Sequence, residues 1–448
     1  MISKYIISQF NLEDINSIDE EKSIVFIKGV TSTLILKFIN NTRECPCCKS
    51  QNIVNRGTTT NTLKTVLKGG EPAILKVVKR KFKCIDCNTN FQENDGKISD
   101  GHGISKYMKY EILYLLKNKK FSYLDVAIKY NVSPTYVQKI FDEYVEIKRH
   151  PLPEVLSIDE IYSRKLTETK YSCVLYDPIN NEIIDILKSR KKSYLQDYFR
   201  KFTIVERDRV KYVTIDLNTT YRSIAYTYFK KAIICADSFH VIENLNRLFD
   251  SVRLRVMKEY ESSKDRLSSD YWLFKKYNKF LLGDFSKING ETFYFNKLDM
   301  YINKYYAIDK MLNISSELRE AYELKEKYRL FNQDYVGKDP SEKFNEIIKD
   351  FRSSSVPEMN TFGLLLSHWK TEILNSFKVI GPWRLSNANI ERKNEDIKLL
   401  IANSHGFTNF NRTRNRILFS INKDEMILLE PKNKTNARYG KKRGKYKK

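Results

Sequence analysis

The spacing of apolar residues along the chain alternates between a strand-like and a helix-like period. Short apolar runs rich in Val, Ile and Tyr predict strands, whereas apolar residues three and four positions apart predict helices. Residues 1–40 are predicted to be a β-rich segment, a helical period covers 104–148, and both patterns alternate from residue 154 onward. A chain of 448 residues with such changes is predicted to be a multidomain α/β protein, because it is too long for one ordinary core.

The segment from residue 154 to about 260 predicts a mixed sheet with helices on its faces. Its strand-like and helical runs follow the order βββαβαβα: EVLSIDEIY, YSCVLYD, NEIIDILKS, SYLQDYFRKF, VKYVTID, TTYRSIAYTYFKK, AIICAD and a helix that begins at SFHVIENLN. Residues 261–380 are predicted to be mostly helical, and SNANIERKNEDIKLLIANS predicts a further helix within 381–430. Pro151 and Pro153 mark a linker before this block.

The charge balance favours a polyanionic partner. The chain has 79 Lys and Arg against 55 Asp and Glu, a net charge of +24, which is typical of proteins that bind nucleic acid. The alternative is compositional drift, because the abundant Lys, Asn, Ile and Tyr are residues that an AT-rich genome favours. The last residues, 431–448, are predicted to be a basic disordered tail, since KNKTNARYGKKRGKYKK contains no acidic residue.

No signal peptide and no membrane span are predicted. The start, MISKYIISQFNLED, has no long apolar core, and no run approaches the roughly 18 apolar residues of a span. Seven cysteines, an odd number in a large chain, indicate a reducing compartment, where clustered cysteines bind metals and do not form disulfides. We therefore expect a cytoplasmic location.

Four cysteines form two matched pairs. Cys45 and Cys48 have C-x-x-C spacing, and Cys84 and Cys87 repeat it after two strand-like runs. Two such turns can supply four thiolates to one Zn²⁺, which predicts a zinc ribbon in residues 41–97. The alternatives are free thiols in a small strand domain, or a redox pair, although a redox site needs only one C-x-x-C at a helix start.

The remaining cysteines are given other roles. Cys47 could exchange with Cys45 or Cys48 as a ligand, but we expect Cys47 to be free, because C-x-x-C spacing leaves room for amides to donate to the sulfurs. Cys173 and Cys235 lie in strand-like runs and are expected to be buried core thiols.

Residues 104–149 are predicted to form a helix-turn-helix domain. In FSYLDVAIKYNVSPTYVQKIFDEYV, Ser133 can cap the second helix and Pro134 occupies its first position, where no amide donor is missed. The second helix of such a motif enters the major groove of DNA, whereas the alternative is an αα-hairpin with only a packing role. The residues expected near DNA are Ser133, Thr135, Tyr136, Gln138 and Lys139.

Two aspartates end predicted strands. Asp159 lies in SIDE and Asp216 in VTID, so neighbouring strands would project both carboxylates from one sheet edge. A third carboxylate from a late helix could complete a set of hard oxygen ligands for Mg²⁺, as phosphodiester chemistry uses. Taken singly, an Asp at a strand end is most often a turn or cap residue.

Together these motifs resemble the insertion-sequence transposases of the ISL-three family, over nearly the whole chain. The resemblance rests on the cysteine pairs with KRKFKC, the helix-turn-helix pattern, SIDEIYSRK, TIDLNTTYRSIAYTYFKKAIICADSFHVIENLN, LREAYELKE and SNANIERKNEDIKLLIANSHGFTNFNRTRNRIL. It implies a ribonuclease-H-like mixed-sheet catalytic domain formed by 154–260 and 381–430, with 261–380 as a large all-α insertion.

The resemblance also implies chemistry. Asp159, Asp216 and Glu391 would form a DDE catalytic triad that binds Mg²⁺ or Mn²⁺, with Zn²⁺ at the N-terminal cysteines. The family often shows SNGxxEGxN around the last acidic residue, whereas here Ala388 and Arg392 replace the glycines, and the arginine adds positive charge beside the proposed ligand. The triad itself is present.

The implied activity is DNA cleavage and strand transfer at the terminal inverted repeats of an element. The implied partners are double-stranded DNA, both element ends and target, and further copies in a homodimer or larger synaptic assembly. No membrane is implied, and the location would be the bacterial cytoplasm or nucleoid. The alternatives are a non-catalytic zinc-ribbon and helix-turn-helix regulator, and a metal-dependent nuclease of the same fold that does not join DNA.

Other residues compete for roles at the acidic site. Asp237 and His240 can share a helix face, and the family shows this pair, so we assign them a supporting role. His240 could act as a general base, contact a phosphate, or be a structural histidine packed beside the site. Glu160 should point to the opposite side of the strand from Asp159. Glu395, one turn after Glu391, would replace it if the helix register were shifted.

Overall fold

A computed structural model gives the structure of the chain. It describes residues 2–28, 31–93, 98–99, 103–162, 170–263, 269–283, 288, 290–296, 298–380, 383–384, 388–404 and 409–432. Most of the predicted tail, 433–448, lies outside the described residues. The chain forms two compact units, Met1–Lys148 with Asp396–Lys448, and Arg149–Glu395. The predicted segment 381–430 is thus divided between them.

The first unit contains a mixed five-stranded sheet and a helical part. Its elements up to residue 148 are α1 (Lys4–Gln9), β1 (Ile24–Lys28), β2 (Thr31–Leu36), β3 (Ile53–Val66), β4 (Pro72–Cys84), β5 (Asn90–Gln92), α2 (Lys106–Lys117), α3 (Tyr123–Tyr130) and α4 (Pro134–Tyr144). The sheet order is β1-β2-β4-β3, with β5 also paired to β4. The long β3–β4 hairpin turns at Gly69 and Gly70, whose φ angles of 100° and 85° are strained for other residues.

The helical part of the first unit has its own core. Buried apolar faces of α2, α3 and α4 pack together, and Phe419 of the later helix α17 (Phe410–Ile421) joins them. Helix α3 begins with a capping box between Ser122 and Asp125, and it ends at Asn131, which has a left-handed φ of 48°. This conformation turns the chain directly into α4.

The second unit contains the predicted mixed sheet. Its elements are β6 (Val155–Tyr162), β7 (Tyr171–Asp177), β8 (Glu182–Leu187), α5 (Lys192–Phe199), α6 (Ile204–Asp208), β9 (Tyr212–Ile215), α7 (Thr219–Tyr228), β10 (Ile233–Ala236) and α8 (Ser238–Ser263). The order is β10-β9-β6-β7-β8, in which β6, β9 and β10 are parallel and β7 is antiparallel to both its neighbours. The central strand β6 is buried on both faces, as its continuous apolar run indicates. The predicted order of strands and helices is confirmed, with α6 as an additional short helix.

The segment that follows is mostly helical, as predicted. It contains α9 (Ser269–Lys276), α10 (Asn278–Leu282), β11 (Thr292–Phe295), β12 (Met300–Asn303), α11 (Lys304–Leu312), α12 (Ser316–Asp334), α13 (Ser341–Ser353), α14 (Pro357–His368), α15 (Lys370–Asn375), β13 (Val379–Ile380) and β14 (Trp383–Arg384). The β11–β12 hairpin was not predicted, because its aromatic residues also fit a helical period. Helix α16 (Ala388–Asn403) begins in the second unit and ends in the first. Within the described chain, no helix is both long and apolar enough to cross a bilayer.

Candidate active site and metal centres

Three aspartates form a row at the carboxyl edge of the parallel strands in the second unit. The strands β6, β9 and β10 are in register at Ile158, Ile215 and Ala236. The residue that follows each of these positions is Asp159 within β6, Asp216 directly after β9 and Asp237 directly after β10. Neighbouring strands lie about 4.8 Å apart, and side chains at matched positions share a face. The strand pairing therefore places three carboxylates side by side.

Burial changes the ionisation of this row. Asp159 is 5% exposed, and burial raises its pKa above the ordinary value. Burial also raises the pKa of Asp216 from 3.8 to about 7; nearby His240 opposes this rise and the Asp159 carboxylate adds to it. Asp237 is fully buried. Carboxylates held together away from water are costly to ionise unless a cation joins them.

Helix α16 adds two more polar groups. Asn394 Nδ2 donates a 2.7 Å hydrogen bond to Asp159 Oδ2, which fixes the helix against β6. Glu391 lies three residues earlier, on the same face of the helix. Burial, followed by the charge of Asp237, raises the pKa of Glu391. We assigned Asn394 no role from sequence, although SNGxxEGxN ends at its position.

Asp237, His240 and Glu391 lie closest together. Each offers one ligand atom, and these atoms all lie within 4.8 Å of one another. His240 Nε2 is 3.9 Å from Asp237 Oδ2, and His240 Nδ1 is 3.1 Å from Glu243 Oε2. Burial lowers the pKa of His240, but Asp237 and Glu243 outweigh it and the net shift is upward. A protonated His240 would offset part of the negative charge.

The residues of this site fit a bound cation. Asp237 and Glu391 offer ligand atoms within 4.8 Å of each other beside Asp159 and Asp216, and three oxygens are buried without a hydrogen bond inside the described chain: Asp216 Oδ1, Glu391 Oε1 and Asn394 Oδ1. Buried oxygens normally have partners, so their convergence indicates a ligand. Carboxylate and amide oxygens are the donors that Mg²⁺ and Mn²⁺ prefer, whereas imidazole is the better ligand for Zn, Cu, Fe and Ni.

The competing residues lie apart from this set. Glu395 is exposed, whereas Glu391 points towards Asp237 and His240. Arg392 is also exposed. Glu160 is half-buried and accepts a 2.5 Å hydrogen bond from Arg190 Nη1. Asp159 and Asp216 lie in the row but belong to no three-residue group within 4.8 Å among the described residues.

The cysteine pairs in the first unit converge as the spacing predicts. The sulfur atoms of Cys45, Cys48, Cys84 and Cys87 all lie within 4.8 Å of one another. Cys45 Sγ is 3.6 Å from Cys87 Sγ, and Cys48 Sγ is 3.5 Å from Cys84 Sγ. Four thiolates at about 2.3 Å from Zn²⁺ in a tetrahedron are about 3.8 Å apart, so this set fits zinc.

The two cysteine turns have matching backbones. Cys45 N donates to Ser50 O at 2.8 Å, and Cys84 N donates to Thr89 O at 2.9 Å. The residue after each pair, Lys49 or Asn88, has a positive φ, 62° or 56°. This repeat brings the sulfur atoms of both turns to one point.

Cys47 lies beside the cluster but outside it. Its side chain is exposed, and its amide N donates to Cys45 Sγ at 3.4 Å. Such an amide contact stabilises a thiolate. The two other cysteines, Cys173 and Cys235, are fully buried, as predicted.

The residues predicted to read DNA lie on or before α4. Ser133 Oγ caps the helix by accepting from Tyr136 N at 3.1 Å. Thr135 and Lys139 are exposed, whereas Tyr136 packs partly against the helical core. Gln138 Oε1 accepts a 3.4 Å bond from Arg412 of α17. The start of α4 therefore has an exposed polar face.

The C-terminal segment supports this helix. Arg412 donates to both carboxylate oxygens of Asp142, with Nη2 2.6 Å from Oδ2 and Nε 3.2 Å from Oδ1. The rings of Phe419 and Phe141 meet edge-on at 5.5 Å. Buried Arg416 donates to Phe121 O at 2.9 Å. The sequence did not predict these contacts, because they join residues almost 300 positions apart.

Comparison with known proteins identifies the family of the chain. The model of the ISL-three family of DDE transposases, described as Transposase, matches residues 156–417, more than half of the chain. The chain belongs to this family, and the match includes every residue of the acidic site. The transposase for insertion sequence element IS1001 of Bordetella parapertussis is 21% identical over 261 residues, 57% of this chain. The chain covers 57% of that relative's length.

Proposed function

We propose that this protein is a DNA transposase that binds the ends of an insertion sequence and cleaves and joins DNA through Asp159, Asp216 and Glu391. The observation that carries the proposal is the row of aspartates on adjacent parallel strands, completed by a glutamate from a separate helix. The family membership and the +24 charge support it.

In this proposal the second unit carries the ribonuclease-H-like catalytic domain. The supporting features are its sheet order and the position of Glu391 on a helix that follows a largely helical insertion. Asp159, Asp216 and Glu391 would hold Mg²⁺ or Mn²⁺. When bound, such ions activate the attacking oxygen and stabilise the leaving oxygen of a phosphodiester. Asp237 and His240 would support Glu391 by fixing its carboxylate.

The chain's own residues prepare this site. Asn394 Nδ2 donates to Asp159 Oδ2 and the Glu160 amide donates to Asp159 Oδ1, each at 2.7 Å, so both carboxylate oxygens are held in orientation and each keeps a lone pair for a ligand. His240 offsets the charge of Asp237 and Glu391. Because Asp216 is largely buried, its carboxylate has few competing waters.

The first unit would recognise the element ends. Its zinc ribbon and helix-turn-helix would contact the terminal repeats, with Thr135, Gln138 and Lys139 on the exposed face of α4. Phosphate contacts from the excess of Lys and Arg would supply much of the affinity, so binding should fall steeply with salt. Two ends must meet for transposition, which requires a dimer or a larger assembly.

The test combines purified protein, Mg²⁺ and a duplex that carries an element end, with a second duplex as target. We expect end cleavage and strand joining, and we expect both to be lost in Asp159→Ala, Asp216→Ala and Glu391→Ala. Glu395→Ala is the matched control, because this exposed glutamate lies one turn away on the same helix. It should keep full activity.

Other outcomes would contradict the proposal. Specific end binding without cleavage would indicate a DNA-binding regulator. Cleavage without joining would indicate a nuclease of the same fold.

A further inference from the structure

The long β3–β4 hairpin packs against a different small core on each of its faces. Successive residues of a strand point to opposite faces of the sheet, so alternate residues share a face. Leu75 and Val77 of β4 are buried in the apolar core that also contains residues of α1. Phe82 and Cys84, which belong to the other face, are buried with Cys45 in the core of the cysteine cluster. The two faces of the hairpin are therefore covered at opposite ends.

Lysines continue the face of Leu75 and Val77 beyond its apolar core. Lys79, Lys81 and Lys83 follow at alternate positions, and the alternation of β4 stays regular because the extra residue in the pairing lies in β3. Lys81 is exposed and Lys83 is half-buried. This face therefore changes from apolar to basic along β4, while the opposite face carries the cysteine cluster.

The hairpin and β5 carry a large excess of positive charge. Residues 49–93 contain nine Lys and Arg against three acidic residues. Glu93 pairs with Arg80 at 2.7 Å, Asp86 accepts hydrogen bonds from two neighbouring polar side chains, and the third lies at the far turn of the hairpin. Among the described residues, neither Lys81 nor Lys83 forms an ion pair, so their charges are available to a partner.

Strand β5 widens the basic end of the hairpin. Lys81 pairs with Gln92 and Lys83 pairs with Asn90. Directly paired residues of neighbouring strands share a face, so the two amide side chains lie beside the two lysines. Both amide residues are exposed. These four residues, Lys81, Lys83, Asn90 and Gln92, form the basic ribbon face.

The chemistry of the basic ribbon face matches a row of phosphates. An ammonium group is a compact charge with three donors and no acceptor, and the side-chain amides can also donate. Lys81 and Lys83 are two residues apart in one strand, about 6.6–6.8 Å. This distance is close to the spacing of neighbouring phosphates along one DNA strand. Contacts to phosphates position a protein on DNA but carry no sequence information.

We propose that the basic ribbon face binds consecutive phosphates of one strand of duplex DNA, and adds affinity and orientation without reading bases. This inference rests on the proposed end recognition and specifies what the zinc ribbon contributes to it. The second cysteine turn positions the face, because Cys84 N donates to Thr89 O at 2.9 Å in the turn that joins β4 to β5. The cysteine cluster itself lies on the opposite face of β4, away from the DNA.

The experiment measures DNA binding by the full-length, zinc-loaded protein without Mg²⁺, over a range of salt concentrations. Two duplexes of equal length are compared, one with an element end and one of unrelated sequence. We expect Lys81→Gln to weaken binding to both duplexes about three- to tenfold at about 0.1 M salt, and to lower the salt slope by about one. The double variant Lys81→Gln with Lys83→Gln should lower the slope by about two. The preference for the end duplex should not change.

Two control variants separate a phosphate contact from an effect on the fold. Lys76→Gln removes the same charge from the same strand but on the opposite face, and Lys76 also forms no ion pair among the described residues. It should keep the wild-type affinity and salt slope. The double variant Lys81→Arg with Lys83→Arg keeps both charges and should bind as wild type does. Zinc content should equal that of wild type in every variant.

The outcomes distinguish this inference from the proposed function. If wild-type protein binds the end duplex no better than the unrelated one, the proposed end recognition fails, whereas the effect of Lys81→Gln on both duplexes still tests the basic ribbon face. If Lys81→Gln matches Lys76→Gln in affinity and slope, this face does not contact phosphates. A loss confined to the end duplex, with an unchanged salt slope, would mean that the face reads bases and would overturn the inference.

Discussion

Asn394 donates a 2.7 Å hydrogen bond to Asp159, across 235 residues of sequence. This bond joins the helix that carries Glu391 to the central strand of the sheet. It therefore links the first and last acidic residues of the proposed triad, although neither carboxylate is bonded to the other. The acidic site depends on how α16 lies against β6.

Replacing Asn394 tests this link. We expect Asn394→Ala to destabilise the protein by about 1–3 kcal/mol, because a buried carboxylate loses a donor. Cleavage should fall about 10-fold or more. Asn403→Ala, at the last residue of the same helix, is the control in thermal melting and single-turnover cleavage. Unchanged cleavage in Asn394→Ala would show that the Glu160 amide, which donates to Asp159 Oδ1 at 2.7 Å, orients this carboxylate without Asn394.

A second prediction concerns which glutamate of α16, Glu391 or Glu395, belongs to the acidic site. Glu391→Gln should abolish cleavage, because a neutral amide cannot replace a ligand carboxylate, whereas exposed Glu395→Gln should cleave at the wild-type rate. End binding should be equal in both. The prediction is wrong if the two variants lose activity to the same extent, since the site would then involve both turns of α16.

The pKa of Asp216 predicts a pH dependence of stability without added divalent ions. Burial raises this pKa from 3.8 to about 7, so folding favours the protonated form. The associated stability is complete below about pH 4 and is lost as pH rises through 7. We expect the Tm of zinc-loaded protein, dialysed free of Mg²⁺, to fall between about pH 5 and 7 and to level off above pH 7.

Asp216→Asn removes the titrating group and is the control for that measurement. Its Tm should vary less over the same pH range. Added Mg²⁺ should raise the Tm of wild type most above pH 7, because the ionised carboxylates bind it. A wild-type Tm with the same pH profile as Asp216→Asn would contradict the assignment.

The cysteine cluster predicts one bound Zn²⁺ per chain. Cys84→Ser should lose the metal and disorder the β3–β4 hairpin end, because the two cysteine turns have only a small apolar cluster to hold them. Cys47→Ser should keep the metal, since its exposed thiol is not among the four sulfur atoms that lie together. Mass spectrometry of metal content and end binding of both variants give the answer. Zinc loss in Cys47→Ser would show that Cys47 is a zinc ligand in place of Cys45 or Cys48.

The contact between α17 and α4 predicts that the C-terminal segment supports DNA binding. Arg412→Ala should weaken end binding about three- to tenfold by freeing α4, with Arg414→Ala on the same helix as the charge-matched control. A double-mutant cycle with Asp142→Ala should show a coupling of about 0.5–1 kcal/mol in stability, because the pair is partly exposed. Zero coupling would mean that the two side chains do not support each other.

Local sequence patterns were sufficient to predict the strands of the second unit and the cluster of four cysteines. Short, nearly continuous apolar runs predicted β6 to β10, since each strand buries its side chains within four to eight residues. The paired C-x-x-C turns predicted four converging sulfurs, because short spacing and a hairpin leave few other arrangements. Asp216 directly follows β9, as predicted, whereas the prediction that Asp159 ends a strand is wrong, because β6 continues to Tyr162.

The tertiary structure decided which distant groups meet. Glu391 and Glu395 lie one turn apart on one helix, and the packing of α16 brings the first to Asp237 and His240 while it leaves the second exposed. The bonds of Asn394 to Asp159, Arg190 to Glu160 and Arg412 to Asp142 follow from strand register and helix packing. Sequence alone determines local conformation through nearby residues, whereas these contacts depend on the burial of whole elements against each other.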